Sequence, residues 1–66
     1  MGVWEKKRAD EVRLGDCIMV NEPEGWHPRF VRRLRLTNPD EIEIRYSDGI
    51  AIVKVSYHPS DRIEVL

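Results

Sequence analysis

The clearest pattern in the chain is a strict alternation from Glu41 to Tyr46, with Ile42, Ile44 and Tyr46 on one parity and Glu41, Glu43 and Arg45 on the other. A period of two places the apolar set on one face of a half-buried β-strand. The same period returns from Arg62 to Leu66, where Ile63 and Val65 are in phase. Between these segments Ile50 to Val55 is apolar on both parities. That predicts a strand covered on both faces, either central in the sheet or shielded by a partner. Cys17 to Val20 and Arg29 to Thr37 complete a set of five expected strands.

Turn-forming residues separate the strands. Leu14-Gly15-Asp16 precedes the first, Asn21 to Gly25 forms a loop, Asn38-Pro39-Asp40 turns the second strand, and Ser47-Asp48-Gly49 is a hairpin signal. Tyr57-His58-Pro59-Ser60 leads into the last strand, and its aromatic-His-Pro order echoes Trp26-His27-Pro28. Ala9 to Val12 has room for one helical turn, well short of what an isolated helix needs. Met1 to Arg8 reads as a charged leader anchored by Trp4, and residues 9–66 as one small domain.

Parity also predicts partners. A two-residue Asp48-Gly49 turn sets Tyr46 opposite Ala51 and Ile44 opposite Val53, whereas a three-residue loop sets Tyr46 opposite Ile50 and Ile44 opposite Ile52. The second is preferred because it joins larger side chains. If Leu36 lies opposite Ile42, Arg35 opposes Glu43 and Arg33 opposes Arg45. The expected core is Ile42, Ile44, Val53, Ile63 and Val65, with Leu14 and Phe30.

The stretch from Val12 to Val20, with its Gly15-Asp16 turn running into an apolar strand, resembles the opening strand of SH3-like small barrels. The order that follows is similar: a long loop, a three-strand meander with a Gly-bearing hairpin, and a short final strand. The resemblance spans the chain from Ala9 onwards and implies an all-β, five-stranded barrel. It names no activity. The acidic loop and paired aromatic groove of the proline-peptide-binding members are missing.

Length and charge narrow the function. Sixty-six residues bury only about 60% of their unfolded surface, so stability is marginal and one domain is the limit. Lys and Arg number 11 against 12 Asp and Glu, a net charge of −1. The chain as a whole is therefore not basic. Cys17 alone cannot make an internal disulfide, and neither a membrane-spanning run nor a signal peptide is visible, so a reducing cytoplasm is the expected setting.

Catalysis has little to stand on. Cys17 with His27 or His58 is the sole nucleophile–base combination, and a thiol in an apolar strand is ordinarily inert. Those three residues also lack the closely spaced ligand pairs of a structural zinc site. No glycine-rich loop exists to cradle a phosphate. The expectation is no enzyme, no catalytic residues, no metal and no cofactor.

The densest chemistry lies between Gly25 and Leu36, which holds four of the eight arginines, two aromatic rings and no acid. Guanidinium forks suit phosphates, and exposed rings stack on bases. Arg29, Arg33 and Arg35 share one parity with Val31, so they are expected on one strand face with Trp26 beside them and Arg45 extending the patch. The expected function is a nucleic-acid-associated binding module that contacts the backbone through Arg29, Arg33, Arg35, Arg45 and Trp26. An ordinary ion-paired surface is the competing account of the same arginines, and a platform of Trp26 beside Tyr57 is a further use of the rings. The alternative function is a protein-interaction or self-associating module, a weak homodimer through Ile50, Ile52 and Val53 on the two-faced strand.

Overall fold

The computed structural model describes residues 3–66. It is all-β apart from one 3-10 turn, with strands β1 (Glu5–Arg8), β2 (Cys17–Glu22), β3 (Gly25–Asn38), β4 (Glu41–Ser47), β5 (Ile52–Tyr57) and β6 (Arg62–Val65). They form one antiparallel sheet in the order β1-β6-β2-β3-β4-β5. The expected five-stranded barrel is corrected in two respects. There are six strands, and the sheet is not closed, since β1 and β5 stand at its two edges.

The sixth strand comes from the charged leader. Glu5–Arg8 pairs with β6, Lys6 opposite Glu64 and Lys7 opposite Ile63. The following 3-10 turn, Ala9–Glu11, is held by Ala9 N–H donating to Asp61 (2.7 Å) and Asp10 N–H donating to Pro59 (3.1 Å). Charged strands are tolerated here because β1 is an edge, where side chains reach water.

One face of the coiled sheet forms the core: Ala9, Val12, Ile18, Val20, Val31, Ile42, Ile44, Tyr46, Ile63 and Val65 are buried, with Leu34, Val53, Val55 and Tyr57 packed against them. Ile42, Ile44, Ile63 and Val65 are where parity places them, whereas Val53 is half-buried. Leu14 and Phe30 are corrections, because they are 65% and 66% exposed. Leu14 sits at the tip of a turn in which Asp16 N–H bonds to the Arg13 carbonyl and Arg13 N–H to the Asp16 carboxylate. Gly15 takes the left-handed position that follows it (φ 86°). Val12 fills the core in its place.

The β4–β5 hairpin follows neither expected register. Its loop has four residues, so Ser47 faces Ile52, Tyr46 faces Val53 and Ile44 faces Val55. Asp48 sets the length: its Oδ1 accepts from Ile50 N–H (2.9 Å) and Ala51 N–H (2.8 Å), and its own N–H donates to the Ala51 carbonyl (3.1 Å). Gly49 supplies the positive φ (99°) the loop requires. The two N–H bonds hold the Asp48 carboxyl below its usual range. In consequence Val53, Val55 and Tyr57 face inward. Ile50 stands at the loop tip 97% exposed, and Ile52 is 60% exposed on the outer face.

The long β3 carries two sheet halves. Its first part pairs with β2 through a tight Pro23-Glu24 turn, Glu22 opposite Gly25, so the expected long loop is absent. The second part pairs with β4 in the expected register, Leu36 opposite Ile42 and Leu34 opposite Ile44. Between Val31 and Arg33 the register shifts by one residue. This bulge at Arg32 reverses the inward parity of the strand. The Val31 backbone is clamped at the bulge, its N–H donating to Asp16 (2.8 Å) and its carbonyl accepting from Gly15 N–H (3.0 Å).

Candidate nucleic-acid interface

The outer face of β3, β4 and β5 is cationic. Arg33 lies opposite Arg45, Arg35 opposite Glu43, and Arg45 opposite Lys54. Strand alternation puts these residues on the exterior, because their neighbours Leu34, Ile42, Ile44 and Tyr46 point inward. Four cations thus surround one carboxylate, a local excess of three on a chain whose net charge is −1.

Glu43 is claimed by two of the four. Arg45 Nε donates to its Oε1 at 2.8 Å, and Lys54 Nζ lies 3.9 Å from its Oε2. The cross-strand ion pair expected between Arg35 and Glu43 does not form. Among the described residues neither Arg33 nor Arg35 has an ion-pair partner. Arg33 opposite Arg45 is a like-charge pair that costs energy, and an anion between the two would relieve it. A shallow recess of about 210 Å³ lies among Arg33, Arg35, Glu43 and Arg45.

Arg29 is elsewhere. The bulge separates it from Arg33 and Arg35, so the shared face that simple parity predicts is corrected. Arg29 opposes Ile18 and lies on the inward side, where its Nε and Nη2 grip both oxygens of Glu22 at 2.9 and 2.7 Å. The guanidinium holds the Glu22 carboxyl well below the usual carboxylate range, while the carboxylate raises Arg29 in turn. Tyr46 adjoins the pair, and burial first, then the neighbouring Glu22, pushes its phenol above the ordinary value. This is a structural ion pair across the β2–β3 hairpin.

Trp26 and Phe30 fall on the exterior with Pro28, since Val31 on the opposite parity is buried. Trp26 is 65% exposed, so it does not plug the core, and Trp4 is only half-buried. Trp26 also borders an open groove of about 680 Å³, where β2 and β6 diverge beyond their single pair, Ile18 with Val65. Tyr57 and Val55 line the same groove, so Trp26 and Tyr57 do face one space.

Of the residues singled out from sequence, Arg33, Arg35 and Arg45 are brought together. Trp26 lies farther along the same exterior, and Arg29 is diverted. Lys54 was missed because the preferred three-residue loop would set it inward, opposite Ile42, whereas the four-residue loop sets it outward, opposite Arg45. Ile50 and Ile52 are exposed as a partner surface requires, but Val53 faces inward.

Cys17 is buried. The grouping of metal-capable side chains among the described residues is Glu22, Glu24 and His27, with ligand atoms within 4.8 Å of one another. Both Glu22 oxygens already bind Arg29, whose charge opposes a cation there. Among the described residues no helix is long and apolar enough to cross a membrane. Comparison with protein-family models, curated proteins and solved structures finds no match for this chain.

Proposed function

We propose that this protein is a non-enzymatic, nucleic-acid-associated binding module that grips phosphates with the outer face of β3, β4 and β5. The observation that carries the reading is the row of Arg33 and Arg35, without an ion-pair partner among the described residues and set against Arg45 and Lys54 with one shared carboxylate between them. Guanidinium groups are weakly hydrated, rigid forks that match phosphate oxygens. Binding must order their side chains, but the planar fork loses less freedom per hydrogen bond formed than an ammonium does. The near-neutral net charge limits long-range attraction, but screening confines each contact to about 8 Å at physiological salt in any case. A local patch is enough. The likeness of the strand order to SH3-like small barrels, a class that often hosts such binding, belongs to the same reading, as does a cytoplasmic location.

The test is salt-dependent binding to labelled nucleic acid. Sequence-independent affinity of about 1–100 µM is expected, and for three phosphate contacts on a duplex log K falls with log salt at a slope of about −2.7. The double variant Arg33→Glu/Arg35→Glu loses binding and keeps its fold. Absence of any salt-sensitive binding in the parent overturns the proposal.

A second reading has its own observation. Ile50 at the hairpin tip and Ile52 beside it are apolar and exposed, which suits self-association or a protein partner. Sedimentation at millimolar concentration tests it, and a strict monomer removes it.

A further inference from the structure

The bulge at Arg32 does more than divert Arg29. Without it, Phe30 would share a face with Leu34, which packs against the core. With it, Trp26, Pro28 and Phe30 stand on the same exterior as Arg33 and Arg35. The strand therefore presents two consecutive rows, an apolar one and a cationic one, joined at the bulge. At about 3.3 Å per residue, Phe30 and Arg33 are at most about 10 Å apart along the strand. Both rings lie in water, at 65% and 66% exposure, although the inward face has apolar company to offer.

This half of β3 is also open laterally. The Cys17 carbonyl accepts from Leu66 N–H (2.9 Å), so Cys17, Met19 and Asn21 direct their backbone groups away from β3. Their partners Phe30, Pro28 and Trp26 correspondingly direct theirs away from β2. The β4 ladder begins at Val31, so it offers Trp26, Pro28 and Phe30 no ladder partner. Pro28, which has no N–H to offer, fits such an edge.

We infer that the ligand of the cationic face is a single-stranded nucleic acid, its phosphates along Arg33, Arg35, Arg45 and Lys54 and its bases stacked on Phe30 and Trp26. The inference rests on the phosphate-binding reading of that face and specifies its substrate. A duplex keeps its bases stacked inside and offers the rings no π-face, so its affinity comes from the cations alone. A single strand offers both a phosphate chain for the arginine row and bare bases for the aromatic row. Stacking on an aromatic ring is tolerant of base identity, so little sequence preference is expected.

The experiment compares a labelled single-stranded oligonucleotide with the duplex of the same sequence, titrated at several salt concentrations against the parent, Phe30→Ala, Trp26→Ala and Arg33→Glu/Arg35→Glu. The parent binds the single strand more tightly. Each aromatic truncation weakens single-strand binding by roughly 5- to 150-fold while duplex binding holds within about 2-fold. The single-strand salt slope is shallower per phosphate than the duplex slope, about −0.7 against −0.9 per contact. Both rings are exposed, so melting temperatures stay with the parent, and equal melting verifies it.

If the aromatic variants bind the single strand like the parent while the charge reversal loses binding, base stacking is refuted and a backbone-only module remains. If the charge reversal binds like the parent, the phosphate reading itself fails. Preference for an acidic peptide over either nucleic acid overturns the inference in favour of a protein partner.

Discussion

Both halves of β3 set arginine on odd positions and large apolar residues on even ones, and they put that alternation to opposite uses. Before Arg32, an arginine on the odd parity turns inward and spends its charge on Glu22. After Arg32, arginines on that same parity turn outward and have no acid of their own. The apolar residues on even positions invert in step, so Phe30 is exposed where Leu34 packs against the core. One inserted residue separates an arginine that stabilises from arginines free to bind. Residue type alone therefore says little about role, and register says most of it.

The largest effect tests the wall that both halves share. Ile44, fully buried opposite Leu34 and Val55, should cost about 2–5 kcal/mol when cut to alanine. At roughly 4–8 °C per kcal/mol for a domain this small, the melting temperature falls by about 8–40 °C. A parent-like melt removes the core assignment.

The comparison itself predicts a contrast between arginines. Arg29→Ala leaves the Glu22 carboxylate without its guanidinium beside buried Tyr46, so the melting temperature falls measurably. Arg33→Ala and Arg35→Ala change stability by no more than about 0.5 kcal/mol, as for surface sites without partners. Equal losses at all three positions would erase the distinction between the halves.

Acid titration sharpens the same point. Glu22 has a folded-state pKa below its unfolded value, because Arg29 favours the ionised form. Its contribution is complete above the unfolded carboxylate pKa of about 4.3 and is lost as pH falls from there through the folded value. The parent therefore loses stability over that acid window more steeply than Arg29→Ala, and a variant with the parent's acid slope contradicts the pairing. Asp48, also depressed, adds to the slope in both proteins. The smallest effect concerns Ile50: Ile50→Ser leaves melting unchanged within about 0.5 kcal/mol, since its side chain touches little, while it weakens any self-association seen at high concentration.

Much of the fold was legible where alternation was strict. Ile42, Ile44 and Tyr46 marked the inward face of β4. The β3–β4 register was legible only as a condition: with Leu36 opposite Ile42, Arg33 meets Arg45 and Arg35 meets Glu43, as found, but the Asn38-Pro39-Asp40 turn does not dictate that pairing. What escaped depended on single backbone events without a periodic signature. The bulge at Arg32 sits beside the clamp of Gly15 and Asp16 on the Val31 backbone, a contact between residues distant in sequence that no local pattern announces. The hairpin register turned on Asp48 accepting two N–H groups, which lengthened the loop, exposed Ile50 and brought Lys54 into the patch. Leu14 looked like core because it is apolar, yet the left-handed Gly15 places it at a turn tip. Glu5–Arg8 carries no strand pattern at all, and only the open edge of β6 draws it into the sheet.

The account turns on local geometry rather than net charge, and one comparison separates them. Arg33→Glu/Arg35→Glu and Arg13→Glu/Arg62→Glu change the net charge equally, but the second pair lies outside the cationic face, and both of its arginines are exposed. Binding of each to a single-stranded oligonucleotide is measured by fluorescence anisotropy at one fixed salt concentration, after equal melting has been verified. The account predicts that the first variant loses binding while the second stays within a few-fold of the parent. Equal loss in both would contradict it, because attraction would then follow total charge and the arrangement beyond Arg32 would have no special role.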